Sequence, residues 1–289
     1  MIVDTHFHVW DAALGTHGWL DNVPSLDRRY TLAQYERTAR ESGVSRSVLV
    51  QVIHDVTETA HFLELAHDSE LVGGVVGWID LEAPDVSETL ASLRASPYGR
   101  YLVGLRHLVE GEVEPAFLER DTVQRGLAAI AASGLTFDLL VRPQQLASAL
   151  RAVRACEGLT VVLDHAGFPN YDDLDENGWR TNVAELARTG RAACKLSGFV
   201  TELKSREQRE NLRNVVSFLI DTFTTRSLLF GSDWPICLQA ATFKDVLLLV
   251  QDSLSELTSW ELDDVLGGNA LRWYCIDEVN LDGRDSVMP

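Results

Sequence analysis

Ile2-Val3-Asp4-Thr5-His6-Phe7-His8-Val9 is the first apolar, β-rich run of the 289-residue chain, and the way it ends decides between two folds. A doubly wound open sheet places a glycine-rich phosphate loop directly after its first strand. This strand ends in His8-Val9-Trp10, and no G-x-G-x-x-G follows any strand. Seven further runs share its character: Arg46–Val52, Leu71–Ile79, Leu102–Leu108, Thr136–Val141, Thr160–Ala166, Ala192–Leu196 and Leu228–Asp233. Several are continuously apolar, the pattern of parallel strands buried on both faces. Helical stretches separate them. Thr31 opens one with Gln34 three residues on, a capping-box pattern, and Gly43 stops it. The stretches Thr57–Ser69, Asp85–Ser96, Asp121–Ser133, Gln144–Cys156, Ser205–Phe223 and Thr242–Leu257 follow the same formula of cap, amphipathic run and break. Eight strands alternating with helices predict a single α/β (β/α)8 TIM barrel, a fold that uses about 250 residues as one domain. The expected domain is 1–280, with an acidic, loose tail at 281–289. Asp11–Tyr30 is the longest expected loop. With Trp10, Trp19 and Pro24 it reads either as a lid over the barrel mouth or as a hydrophobic plug.

The charge balance, 25 Lys+Arg against 43 Asp+Glu for a net −18, argues against nucleic-acid partners and against docking on an anionic membrane. No apolar run approaches the roughly 20 residues of a membrane helix, and the first residues lack a basic region followed by an apolar stretch. The four cysteines form no Cys-x-x-Cys pair, which disfavours a zinc ribbon or a disulfide scaffold. A reduced cytoplasmic enzyme fits these features. A homo-oligomer is compatible with the sequence but not specified by it.

In a barrel of this kind, catalytic side chains sit at the C-terminal ends of strands. Those ends supply His6 and His8, Gln51, Trp78, Arg106 and His107, Asp164 and His165, Lys195 and Ser197, and Ser232, Asp233 and Trp234. Residues i and i+2 of a strand share a face, so His6 and His8 are expected side by side in the interior, with Asp4 one layer deeper on the same face. Three imidazoles (His6, His8, His165) and the Asp233 carboxylate can hold Zn2+ or a similar ion with a position left for water. Without a metal, the same set can act with the carboxylate as base and the imidazoles polarising a carbonyl. Gln51, Arg106, His107, Lys195, Trp78 and Trp234 read as binding groups for a polyhydroxylated or carbonyl-rich small molecule. For Lys195 a second role stays open, an ion pair with an acid such as Asp164. His17, His54, His61 and His67 are assigned structural roles. No G-x-S-x-G elbow is present, and Cys194 lies on the strand face opposite Lys195, so nucleophilic serine or cysteine catalysis is disfavoured.

These strand ends carry a resemblance. Val3-Asp4-Thr5-His6-Phe7-His8-Val9-Trp10, Gly74–Leu81, Gly104-Leu105-Arg106-His107, Leu163-Asp164-His165-Ala166-Gly167, Cys194-Lys195-Leu196-Ser197-Gly198, Phe230–Pro235 and Gly268-Asn269-Ala270 together resemble the amidohydrolase superfamily. More narrowly they are similar to its "amidohydrolase 2" lactonase group of sugar lactonases and 2-pyrone-4,6-dicarboxylate lactonases. The resemblance implies a (β/α)8 barrel and hydrolysis of a cyclic ester at His6, His8, His165 and Asp233. Asp233 would activate water and then protonate the leaving alkoxide. It implies either no required cofactor or one divalent metal, Zn2+ being the usual one, because strand 5 ends without the histidine of a binuclear site. Among substrates it favours a neutral aldonolactone of the L-fuconate or L-rhamnonate type. A dicarboxylate lactonase needs several free cations, and here only Arg106, Lys195 and Arg142 come into question. A zinc-dependent decarboxylase of the aminocarboxymuconate-semialdehyde type is the remaining enzymatic alternative.

Overall fold

The computed structural model describes residues 1–14 and 17–276, so the expected tail at 281–289 lies outside the described residues. Eight parallel strands stand in sequence order: β1 (Ile2–Phe7), β2 (Val44–Val50), β3 (Val72–Gly77), β4 (Leu102–His107), β5 (Thr136–Leu139), β6 (Thr160–Leu163), β7 (Ala192–Leu196) and β8 (Leu228–Phe230). Closure between β8 and β1 is made at the mouth, where Asp233 N donates to His6 O (2.8 Å) and His8 N to Trp234 O (2.7 Å). The fold is a single (β/α)8 TIM barrel, as expected.

A helix follows each strand: Leu32–Glu41, Val56–Asp68, Val86–Ala95, Asp121–Ser133, Leu146–Ala155, Trp179–Ala187, Arg206–Phe223 and Phe243–Ser253. The capping box at Thr31 and Gln34 forms as read, and Thr242 with Asp245 forms another. Trp179–Ala187 was not among the expected helices. It is short, and its buried positions Trp179, Val183 and Leu186 follow a long polar loop that hides the period. Among the described residues, no helix is long and apolar enough to cross a membrane.

Two cores result. The larger lies between strands and helices. The smaller fills the barrel with Val3, Val48, Val76, Val162, Ala193 and Leu229, and is sealed below by Ala270, Leu271 and Tyr274. Branched side chains from successive strands thus pack much of the barrel's lower half. The segment after β1 packs as a plug. Leu20 and Leu26 are buried, Trp10 meets the rings of Trp19 and Tyr30 at about 5 Å, and Trp10 Nε1 donates to Leu26 O.

Most strands end one to three residues earlier than read, because the polar residues at their tips leave the ladder to enter the mouth. In β1 the pairing register with β2 slips between Asp4 and Phe7. This bulge overturns the expected parity of Asp4. Its carboxylate does not lie beneath His6; it accepts from Tyr35 Oη (2.9 Å) on the outer helix Leu32–Glu41 and from Ser232 N and Oγ (2.8 and 2.6 Å). Asp4 therefore ties β1, β8 and a helix together from outside the barrel.

Candidate active site

His6 and His8 do share the interior face, with ring centroids 4.9 Å apart. His8 Nδ1 lies 2.8 Å from the carbonyl oxygen of Val50 and must donate to it, since a carbonyl can only accept. Burial pushes the His8 pKa down to about 3, helped by the nearby Arg106, so the ring is neutral. Its Nε2 consequently presents a lone pair, 3.6 Å from Asp233 Oδ1. Two acceptors facing each other in a buried site call for a proton, a water or a cation between them.

His6 is fully buried between two cations. Arg106 Nη1 is 3.1 Å from its Nε2, and Lys195 Nζ is 3.2 Å from its Nδ1. Burial holds its pKa well below the ordinary histidine value, and a neutral imidazole accepts at only one nitrogen. When Arg106 donates, the proton sits on Nδ1 and faces Asp164 at 3.4 Å. When Lys195 donates, it sits on Nε2 and faces Asp233 at 3.8 Å. Each ring nitrogen thus has a cation within hydrogen-bond reach and a carboxylate within 4 Å.

Beneath it lies a buried charge network. Lys195 Nζ meets Asp138 at 2.6 Å and Asp164 at 2.9 Å, and Tyr274 Oη donates to Asp138. Arg106 reaches Asp164 at 3.1 Å and the carbonyl of Gln51 at 2.6 Å. Burial alone would raise the Asp164 pKa, but Lys195, His6 and Arg106 hold it well below the carboxylate range. Of the two roles left open for Lys195, its contacts make the ion pair. Its side chain is fully buried, below His6 rather than at the mouth.

His165 is delivered by an unusual turn. His165, Ala166, Gly167 and Phe168 all have left-handed φ, between 51° and 68°. Left-handed backbone costs roughly 1–2 kcal/mol per non-glycine residue, so three such residues within four positions need support. Trp179 Nε1 donates to the Ala166 carbonyl (2.8 Å), and His165 Nδ1 shares a hydrogen bond with Ser197 Oγ (2.8 Å). Gly198 leaves room, since a Cβ there would sit 2.7 Å from the His165 ring. Asp233 also adopts left-handed φ (57°), which swings its carboxylate out of the β8 ladder and into the mouth. Burial raises its pKa to about 6, partly offset by His165 and Arg106.

His6, His165 and Asp233 bring one ligand atom each to within 4.8 Å of one another, all buried. Two imidazoles and a carboxylate suit a borderline ion such as Zn2+, and the lone pair of His8 lies alongside. The residues fit one divalent cation.

The rim completes the geometry. Trp78 Nε1 donates to His107 Nδ1 (3.3 Å), and His107 Nε2 pairs with Glu112 (2.7 Å). Arg142 lies between Glu110 (3.0 Å) and Glu202 (3.2 Å) with its guanidinium 3.8 Å over the Phe168 ring, which in turn is 5.0 Å from that of His165. Gln51 is buried, with Nε2 donating to the Arg106 carbonyl at 3.3 Å. Its Oε1, and Nε of Arg106, are buried without a hydrogen-bond partner among the described residues. Trp234 departs from its expected stacking role. Its ring is buried against Tyr30 and Tyr35 at 5.5 and 5.6 Å, because the turn at Asp233 sends the next side chain into the outer core. His61 and His67 lie on the exposed side of the helix Val56–Asp68, as structural residues should. His54 carries the same assignment, and its surroundings differ from those of His61 and His67. It lies at the mouth beside Trp78 and His107, and its place four residues beyond the end of β2 was the signal available in the sequence.

Comparison with known proteins agrees with this geometry. The family description "Amidohydrolase" matches residues 3–276. The chain belongs to the amidohydrolase family. It is 34% identical to an L-fucono-1,5-lactonase of Burkholderia multivorans (strain ATCC 17616 / 249), over 96% of each chain. It is 29% identical to an L-fucono-1,5-lactonase of Burkholderia ambifaria, over 97% of each. A crystal structure of an amidohydrolase from Burkholderia multivorans with bound zinc superposes with a TM-score of 0.89 at 32% identity, covering 96% of this chain and all of that one. This amidohydrolase thus shares its whole barrel with those relatives.

Proposed function

We propose that this amidohydrolase hydrolyses a neutral, hydroxylated lactone of the aldonolactone type, with Asp233 as general base. The observation that carries the reading is the Asp233 carboxylate itself. It is set beside the Nε2 atoms of His8 (3.6 Å) and His6 (3.8 Å), with its basicity raised by burial. A water bridging His8 Nε2 and Asp233 would lose a proton to the carboxylate as its oxygen attacks the lactone carbonyl. Arg106, His6 and His165 supply positive charge or donors where the carbonyl oxygen becomes an oxyanion. Collapse breaks the ring C–O bond, and protonated Asp233 returns its proton to the alkoxide, giving the open hydroxy acid. A divalent cation held by His6, His165 and Asp233 would, when bound, add Lewis-acid polarisation.

The state of the cations supports a neutral substrate. Arg106 and Lys195 are consumed by Asp164 and Asp138, and Arg142 by Glu110 and Glu202. Of the three only Arg106, already paired with Asp164, keeps an N–H free for ligand, which is too few for the two carboxylates of a pyrone dicarboxylate. The buried, unpartnered Gln51 Oε1 and Arg106 Nε suit an uncharged ligand with hydroxyl and carbonyl groups. The likeness to two L-fucono-1,5-lactonases supports the same class.

The test is acid release from a panel of aldonolactones and from 2-pyrone-4,6-dicarboxylate, before and after chelation. L-Fucono-1,5-lactone or a close relative should be opened well above the spontaneous rate. Asp233→Asn should lower kcat/KM by at least about 100-fold with the fold intact by circular dichroism. Turnover of the dicarboxylate alone, or an undiminished Asp233→Asn enzyme, would defeat the reading.

A further inference from the structure

His54 is held in place more firmly than a loop residue requires. The turn that presents it is fixed from behind, where a single Glu58 carboxylate oxygen accepts from Val52 N (2.9 Å) and Ile53 N (3.2 Å). Asp55 then caps the helix Val56–Asp68 through Thr57 N (2.8 Å). The His54 ring stacks on Trp78 at 5.3 Å with an interplanar angle of 11°, and its centroid is 4.1 Å from that of His107. Trp78 and His107 are themselves joined by the Nε1 to Nδ1 hydrogen bond, so three rings from the loops after β2 and β3 and the last residue of β4 form one wall of the mouth.

The hydrogen bonds also settle where the His54 proton sits. Leu108 N donates to His54 Nε2 at 3.1 Å, which makes Nε2 an acceptor. Partial burial of the ring and the neighbouring His107 push the His54 pKa down to about 4, so the ring is neutral and must carry its proton on Nδ1. Among the described residues no acceptor pairs with that N–H, and the residue is exposed. The structure therefore holds an oriented donor on an aromatic wall and gives it no internal partner.

We propose that His54 is a specificity-determining residue whose Nδ1–H donates to a ring hydroxyl of the lactone lying against the Trp78–His107 wall. The inference rests on the lactone-hydrolase reading above and deepens it, since it gives the enzyme a reason to prefer hydroxylated lactones over plain ones. A purely structural His54 would cap Leu108 and fill space, which affects every substrate alike.

The experiment compares L-fucono-1,5-lactone with δ-valerolactone, a six-membered lactone without hydroxyls, on the full-length enzyme. His54→Phe keeps an aromatic ring on Trp78 but has no donor. His54→Leu also lacks a donor and serves as a second variant if the first is unstable, while His54→Gln, whose amide keeps an acceptor for Leu108 N and restores an N–H, should recover part of the loss. The expected result is a loss of about tenfold in kcat/KM for the hydroxylated lactone, carried by KM, with δ-valerolactone changed less than about twofold. Equal losses on both lactones, or no loss on either, would overturn the role of His54 while leaving the lactonase reading intact. A parent enzyme that opens neither lactone would overturn the reading first and the inference with it.

Discussion

The Glu58 carboxylate shows how a residue outside the chemistry shapes the site. It lines a cavity of about 460 Å3 between the helix Val56–Asp68 and the plug segment, yet spends one oxygen on the backbone that carries Gln51 and His54. Burial raises its pKa from 4.5 to about 7, in spite of those two backbone donors. A folded-state pKa above the unfolded one means that the folded protein holds the proton more strongly. The resulting stability is fully present below the unfolded pKa near 4.5 and is lost as pH rises through about 7. Glu58→Gln removes the titration while its amide oxygen still accepts from Val52 and Ile53. In urea titrations at several pH values, the parent should lose stability relative to Glu58→Gln between pH 4.5 and 7. After discounting for partial exposure, the relative loss should be about 1 kcal/mol or more. A constant difference across that window would mean that Glu58 has the same pKa folded and unfolded.

At the scale of elements, the barrel was legible because its strands are continuous apolar runs between capped helices, and each such run has only one kind of partner. The tips were legible as chemistry for the same reason: His6, Asp164, His165 and Asp233 interrupt runs that are otherwise apolar. What alternation cannot convey is a break in alternation. The bulge in β1 turned Asp4 outward, and the left-handed turn at Asp233 sent Trp234 into the core. Nor does a single strand reveal its neighbours across the barrel, so the pairing of Lys195 with Asp138 and Tyr274 emerged only in three dimensions. The β7 turn offers a direct measure of such cross-barrel dependence. Gly198 has φ of 69°, and an added Cβ would press on the His165 ring. Gly198→Ala should cost roughly 1–2 kcal/mol of stability from the backbone alone. Displacing the imidazole should lower kcat by a larger factor, about tenfold to 100-fold. Thermal melts and steady-state kinetics on one preparation separate the two effects. An enzyme that loses stability but keeps kcat would show that His165 tolerates displacement.

At the scale of the whole molecule, the net charge of −18 decides what may approach the mouth and what must leave it. Glu112 pairs with His107, and Arg142 is neutralised between Glu110 and Glu202. A neutral lactone enters this field without penalty, whereas its hydrolysis product is an anion formed inside it. Repulsion of that kind aids product release and is screened by salt, the screening length falling from about 30 Å at 0.01 M to about 8 Å at 0.15 M. Over that range kcat/KM for L-fucono-1,5-lactone should stay constant within about twofold, because no long-range charge acts on the substrate. Inhibition by the open hydroxy acid should strengthen as salt is added. The opposite slope, product inhibition weakening with salt, would reveal a cation at the mouth that receives the carboxylate, and would move the preferred substrate toward acidic lactones.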